Sequence, residues 1–82
     1  MFTADEIEAR LRRQPFVPVR VLTSLGQNYD ITRPHQVMIG RRAIIIGIPD
    51  RENPELYENA TQVALMYVTD VQELPHVTVA EA

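Results

Sequence analysis

Phe16-Val17-Pro18-Val19-Arg20-Val21-Leu22 is the stretch on which the fold turns. Val17, Val19 and Val21 alternate with Pro18, Arg20 and Leu22. That period of two sets a row of valines on one buried face and marks a β-strand. Leu25-Gly26 reads as a tight turn, with glycine supplying a positive φ. Gln27 to Thr32 then returns with Tyr29 and Ile31 on one face. Pro34 removes a ladder donor, so this long strand is expected to bend there and to continue through Val37 and Ile39.

Upstream of Phe16 the period changes to that of a helix. Thr3 and Glu6 form a capping box, in which the hydroxyl accepts from the amide of residue 6 and the carboxylate reaches back to the cap. Asp5, Glu6 and Glu8 precede Arg10, Arg12 and Arg13, so both ends complement the helix dipole. Ile7 and Leu11 make one narrow apolar stripe, suited to a helix that lies on something else. Pro15 is expected to end the helix at about Gln14.

Downstream, Gly40-Arg41-Arg42 is a turn, and Ala43-Ile44-Ile45-Ile46-Gly47-Ile48 is the most apolar strand, expected at the centre of a sheet. Pro49 to Ala60 contains two prolines, four acids and two asparagines and reads as one long loop. Thr61 to Val68 reads as a strand with Val63, Leu65 and Tyr67 on one face. Thr69-Asp70 is expected to turn into a last short strand, Val71 to Leu74, which Pro75 stops. Residues 1–75 thus read as one domain and 76–82 as a C-terminal tail, with Val77-Thr78-Val79 a candidate edge strand. The expected fold is mainly β with one N-terminal helix: a small open barrel of about five antiparallel strands, of the SH3-like or Sm-like class. A curved sheet with the helix across one face is the rival.

Composition narrows the chemistry. The 82 residues suit one modest core, which leaves apolar surface for a partner or a second copy. Hydrophobic residues at 45% argue against wholesale disorder. With no cysteine, disulfides and thiolate metal sites are excluded. His35 and His76 are far apart and lack acids at ligand spacing, so no metal and no cofactor is expected. His35 also lacks a nucleophile and an orienting group nearby, so no enzyme activity is expected. The acidic residues Asp50, Glu52, Glu55 and Glu58 lack the glycine and the ligand alternation of a calcium loop. No apolar run approaches the roughly 18 residues of a membrane span, and no signal peptide is visible, so the cytoplasm is the expected compartment.

The net charge of −3 gives no general attraction for nucleic acid, yet all eight basic residues are arginine. Arg12, Arg13, Arg41 and Arg42 are expected to converge at one end of the sheet, with Arg33 and His35 further off, as a site for anions or nucleic acid. The plainer reading is a solvated helix end and turn, partly neutralised by Asp70, with no aromatic among the arginines to stack a base. Tyr57, in the acidic loop, is freer to touch a partner than Tyr67, which reads as core. Open edges in a short, apolar chain favour a homo-oligomer, with a further protein partner unknown and a nucleic-acid partner the less favoured alternative.

Two resemblances accompany this reading. Arg13-Gln14-Pro15-Phe16-Val17-Pro18-Val19-Arg20-Val21, with Gly26, Tyr29, Asp30, Pro34 and Gly40-Arg41-Arg42, resembles a group of small bacterial proteins to which no activity is attached. Met66-Tyr67-Val68-Thr69-Asp70-Val71-Gln72-Glu73-Leu74-Pro75 resembles the end of the bacterial Sm-like RNA chaperone, which forms rings and binds uridine-rich RNA. That family's Tyr-Lys-His signature is missing: with the closing prolines aligned, Tyr67 and Val68 stand at its Lys and His. The resemblance therefore implies an element order and not the uridine site.

Overall fold

The structure is a computed structural model that describes residues 2–74. The helix α1 spans Ala4–Leu11, followed by six strands: β1 Val19–Thr23, β2 Asn28–Ile31, β3 Val37–Ile39, β4 Ala43–Pro49, β5 Tyr57–Ala64 and β6 Val68–Glu73. They form two antiparallel sheets of three strands, in the orders β2-β1-β6 and β3-β4-β5. Short 3-10 turns at Pro34–Gln36 and Leu65–Tyr67 carry the chain from one sheet to the other. The architecture is thus mainly β with one helix, as the sequence implies.

The helix begins as its capping box dictates: Thr3 Oγ1 accepts from the Glu6 amide at 3.2 Å, and Glu6 Oε1 accepts from the Thr3 amide at 2.8 Å. It ends at Leu11, three residues short of the expected Gln14, with Arg12 as its C-cap. Proline disfavours a helical residue before it, and the chain has already left the helix when it reaches the cis Gln14–Pro15 bond. Arg10 is therefore the basic residue of the last turn, and Arg12 and Arg13 lie beyond it.

The valine row of β1 is buried as expected, and Ile7 and Leu11 of α1 join Val19, Val21, Ile31, Ile44, Ile46, Val63, Leu65, Val68 and Val71 in one core, with Phe16 packed against it. Gly26 has φ +85° in the β1–β2 turn, a value that glycine adopts without strain. In β4 the isoleucine run conceals an alternation. Ile44 and Ile46 are fully buried, whereas Ile45 between them is 38% exposed on the opposite face. β4 is central, as expected.

Three boundaries differ from expectation. The single bent second strand is two strands in different sheets, because Pro34 starts a 3-10 turn that redirects the chain. This also raises the strand count to six. The long loop shortens to residues 50–56, since Tyr57 to Ala60 pair with β4 opposite Pro49 to Gly47. The last turn lies at Leu65–Tyr67 rather than at Thr69-Asp70, so β6 starts at Val68 and Asp70 pairs with Leu22 inside it. The candidate strand at Val77-Thr78-Val79 lies outside the described residues.

Candidate functional site

The expected arginine cluster resolves into pairs interleaved with carboxylates. Arg12 lies 2.8 Å from Glu8 one helical turn back, and Arg13 is ion-paired with Glu73 of β6. Arg41 shares a hollow with Asp5 and Glu8. Arg41 and Arg42 together line a second, mainly apolar hollow of about 450 Å³ between the start of α1 and the Leu65–Tyr67 turn, with Phe2, Leu65 and Met66. Among the described residues neither Arg41 nor Arg42 has an ion pair. Phe2 thus supplies the aromatic neighbour that the sequence had not placed near the arginines. The expected neutraliser, Asp70, is engaged elsewhere, accepting from the amide of Val71 and from Gln72.

Other candidates are accounted for locally. Arg20 grips Asp30 with two hydrogen bonds, of 2.7 and 3.2 Å. This holds the Asp30 carboxyl below its ordinary range, against partial desolvation, which raises it. Arg33 donates to the Pro54 carbonyl at 2.8 Å, and its guanidinium lies 5.2 Å from the centre of the Tyr57 ring. Tyr57 is therefore a strand residue with its ring against Gly47, where an added Cβ would approach it to 3.0 Å. Tyr67 sits on the 3-10 turn and is exposed, so it is not the core residue expected. His35 is exposed on the other 3-10 turn. No group of three metal-ligating side chains occurs among the described residues.

The residue that sequence reasoning missed is Gln36, beside His35. It is buried, with 4% exposure. Its Oε1 accepts from the Thr32 amide at 3.0 Å, and its Nε2 donates to the carbonyls of Asp30 at 3.0 Å and Gly47 at 2.9 Å. One side chain thereby ties β2 to β4, that is, the first sheet to the second. A glutamine in a proline-bounded turn carries no periodic signal for burial.

The feature with the clearest functional content is how the sheet edges end. In an antiparallel ladder, alternate residues turn their N–H and C=O toward one neighbour and then the other. The Leu74 amide bonds to the Pro18 carbonyl at 2.9 Å, which sets the phase of β6 and turns Val71 outward. Both outward groups of Val71 are held: its amide donates to Asp70 Oδ1 at 2.9 Å, and its carbonyl accepts from Arg10 of α1 at 3.1 Å. At the edge of β2, the outward carbonyl of Asp30 is held by Gln36. The third edge, β3, is three residues long and lies against α1.

The edge of β5 is different. The Leu65 amide bonds to the Arg42 carbonyl at 2.9 Å, so Val63, Thr61 and Asn59 face β4. Ala60 and Gln62 consequently turn their backbone outward, and Glu58 is the extra residue of a bulge opposite Ile48 and Pro49. Among the described residues only the Ala60 amide meets an acceptor there, Asn59 Oδ1 at 2.7 Å. The outer face of this sheet is also apolar. Met38, Ile45 and Gln62 stand in register across β3, β4 and β5, and Met38 is 69% exposed. A shallow hollow there is lined by Met38, Ile45 and Gln62 together with Arg41 and Arg42.

Comparison with known proteins found no matching family model, curated protein or solved structure. No helix among the described residues is long and apolar enough to cross a membrane.

Proposed function

We propose that the protein is a non-enzymatic, self-associating interaction module, and that its two sheets are the halves of a small open barrel of the SH3-like or Sm-like kind. The barrel reading is supported by β1 lying between the second and last strands, and by single 3-10 turns that carry β2 into β3 and β5 into β6. The observation that carries the functional reading is the edge of β5. It is the longest strand, at eight residues, and among the described residues its outward backbone makes no hydrogen bond to another strand, the β1–β2 turn only facing it across a hollow. It holds no proline and no lysine, the residues that commonly guard an edge. A second copy adding its own strand would satisfy these groups and cover Met38 and Ile45.

The test is light scattering from low to high micromolar protein, for the wild type and for Gln62→Pro. Because the Gln62 amide points away from β4, proline there leaves the internal ladder intact and removes a donor from the open edge. The wild type is expected to associate, and the variant to be monomeric with the thermal stability of the dilute, unassociated wild type. A wild type that stays monomeric throughout overturns the reading.

A second reading, a single-stranded nucleic-acid binder, draws on Arg41 and Arg42, which line one hollow with Phe2. In it, short RNA binds the wild type with strong salt dependence, and joint replacement of Arg41 and Arg42 by alanine flattens that dependence.

A further inference from the structure

The sheet β3-β4-β5 is electrically polar along its strands. At one end the β3–β4 turn presents Arg41 and Arg42. At the other, residues 50–56 and the first residues of β5 present Asp50, Glu52, Glu55 and Glu58 against two guanidinium groups, Arg51 and the Arg33 that reaches the Pro54 carbonyl. A parallel meeting of two β5 edges would set acid against acid and base against base. An antiparallel meeting sets each acidic end beside a basic end.

Resting on the self-association reading above, we propose that two copies join β5 to β5 in antiparallel fashion across a two-fold axis, with Glu58 of each copy beside Arg41 and Arg42 of the other. The backbone restricts the register, and among the registers it allows the charges favour Thr61 opposite Thr61. Outward-facing residues must meet outward-facing residues, so Ala60 pairs with Gln62 of the second copy when Thr61 stands opposite Thr61. The same register sets Glu58 opposite Ala64, which is itself paired with Ala43, next to Arg42. Glu58 and the basic turn are then two strand spacings apart, about 10 Å between backbones, within reach of two extended side chains. On the outer face Arg41 and Arg42 already line a hollow with Gln62, and Glu58 is exposed at the far end of the same strand edge. The result is a continuous six-stranded sheet whose apolar outer faces adjoin. A head-to-tail ring through the edge of β6 would instead have to displace Arg10 and Asp70 from the Val71 groups they hold.

The chain has no native cysteine, so single cysteines report the register directly. Thr61 opposite Thr61 is a close, non-hydrogen-bonded pair whose Cα separation suits a disulfide. Under mild oxidation Thr61→Cys is expected to give a covalent dimer, and Gln62→Cys, two residues out of register with itself, is not. Glu58→Arg is expected to weaken association roughly ten-fold through its two symmetry-related contacts, and adding Arg41→Glu with Arg42→Glu to restore it. If the wild type associates but links through Gln62→Cys instead, or ignores the charge reversals, the antiparallel arrangement falls and self-association stands. A wild type that remains monomeric in light scattering overturns both.

Discussion

The two sheets are built from similar strands and finish differently. In β2-β1-β6 the outward carbonyl of Asp30 and both outward groups of Val71 are engaged, by Gln36, Arg10 and Asp70. The outer side of that sheet also carries the Arg20–Asp30 pair. In β3-β4-β5 the longest strand is an open edge, and the exposed face carries Met38 and Ile45. The difference shows where a small domain tolerates an unfinished surface. An unpaired edge invites another strand, and polar side chains folded over it withdraw the invitation. One sheet is covered in this way at two of its edge positions, and the other is left more available.

The largest effect on this contrast is expected at Gln36, which joins the two sheets. Gln36→Ala leaves the Gly47 and Asp30 carbonyls and the Thr32 amide without their partner in a buried setting. Loss of about 2–4 kcal/mol is expected, read as a lower urea midpoint. Equal midpoints for variant and wild type would mean that the sheets hold together without this clasp.

A middle-sized effect is expected at Arg10. Arg10→Ala uncovers the Val71 carbonyl and costs about 1 kcal/mol. It also gives the first sheet an open edge like that of the second, so light scattering should find assemblies larger than the wild type forms. Assembly size unchanged from the wild type would show that cover by Arg10 is not what closes β6.

The smallest effect is the pH dependence of the Arg20–Asp30 pair. The Asp30 carboxyl is lowered from its ordinary value of 3.8, so the pair stabilises the fold above that value. The contribution is lost as pH falls through the lowered folded value. Asp30→Asn should therefore be slightly less stable than the wild type at neutral pH, and the two should converge in acid. The pair is half-exposed, and the difference is small. A gap that persists at low pH would assign the effect of the substitution to packing instead.

The features that neighbouring residues encode are local ones. Thr3 and Glu6 specify the helix start, Val19 and Val21 the buried face of β1, Gly26 the first turn, and the isoleucine run the central strand β4. Each rests on a period or a cap that neighbouring residues complete among themselves. Where the signal was ambiguous, the structure decided: Pro34 divides one strand into two, and Leu65–Tyr67, not Thr69-Asp70, makes the last turn. The candidate site was less legible still. Arg12 and Arg13 look like partners of Arg41 and Arg42 until Glu8 and Glu73 are seen beside them. The burial of Gln36, the cover of β6 by Arg10 and the bareness of β5 exist only in the tertiary structure. The physical reason is that a side-chain period reports which face of a strand is buried. Whether its edge is open depends on distant residues that happen to fold against it.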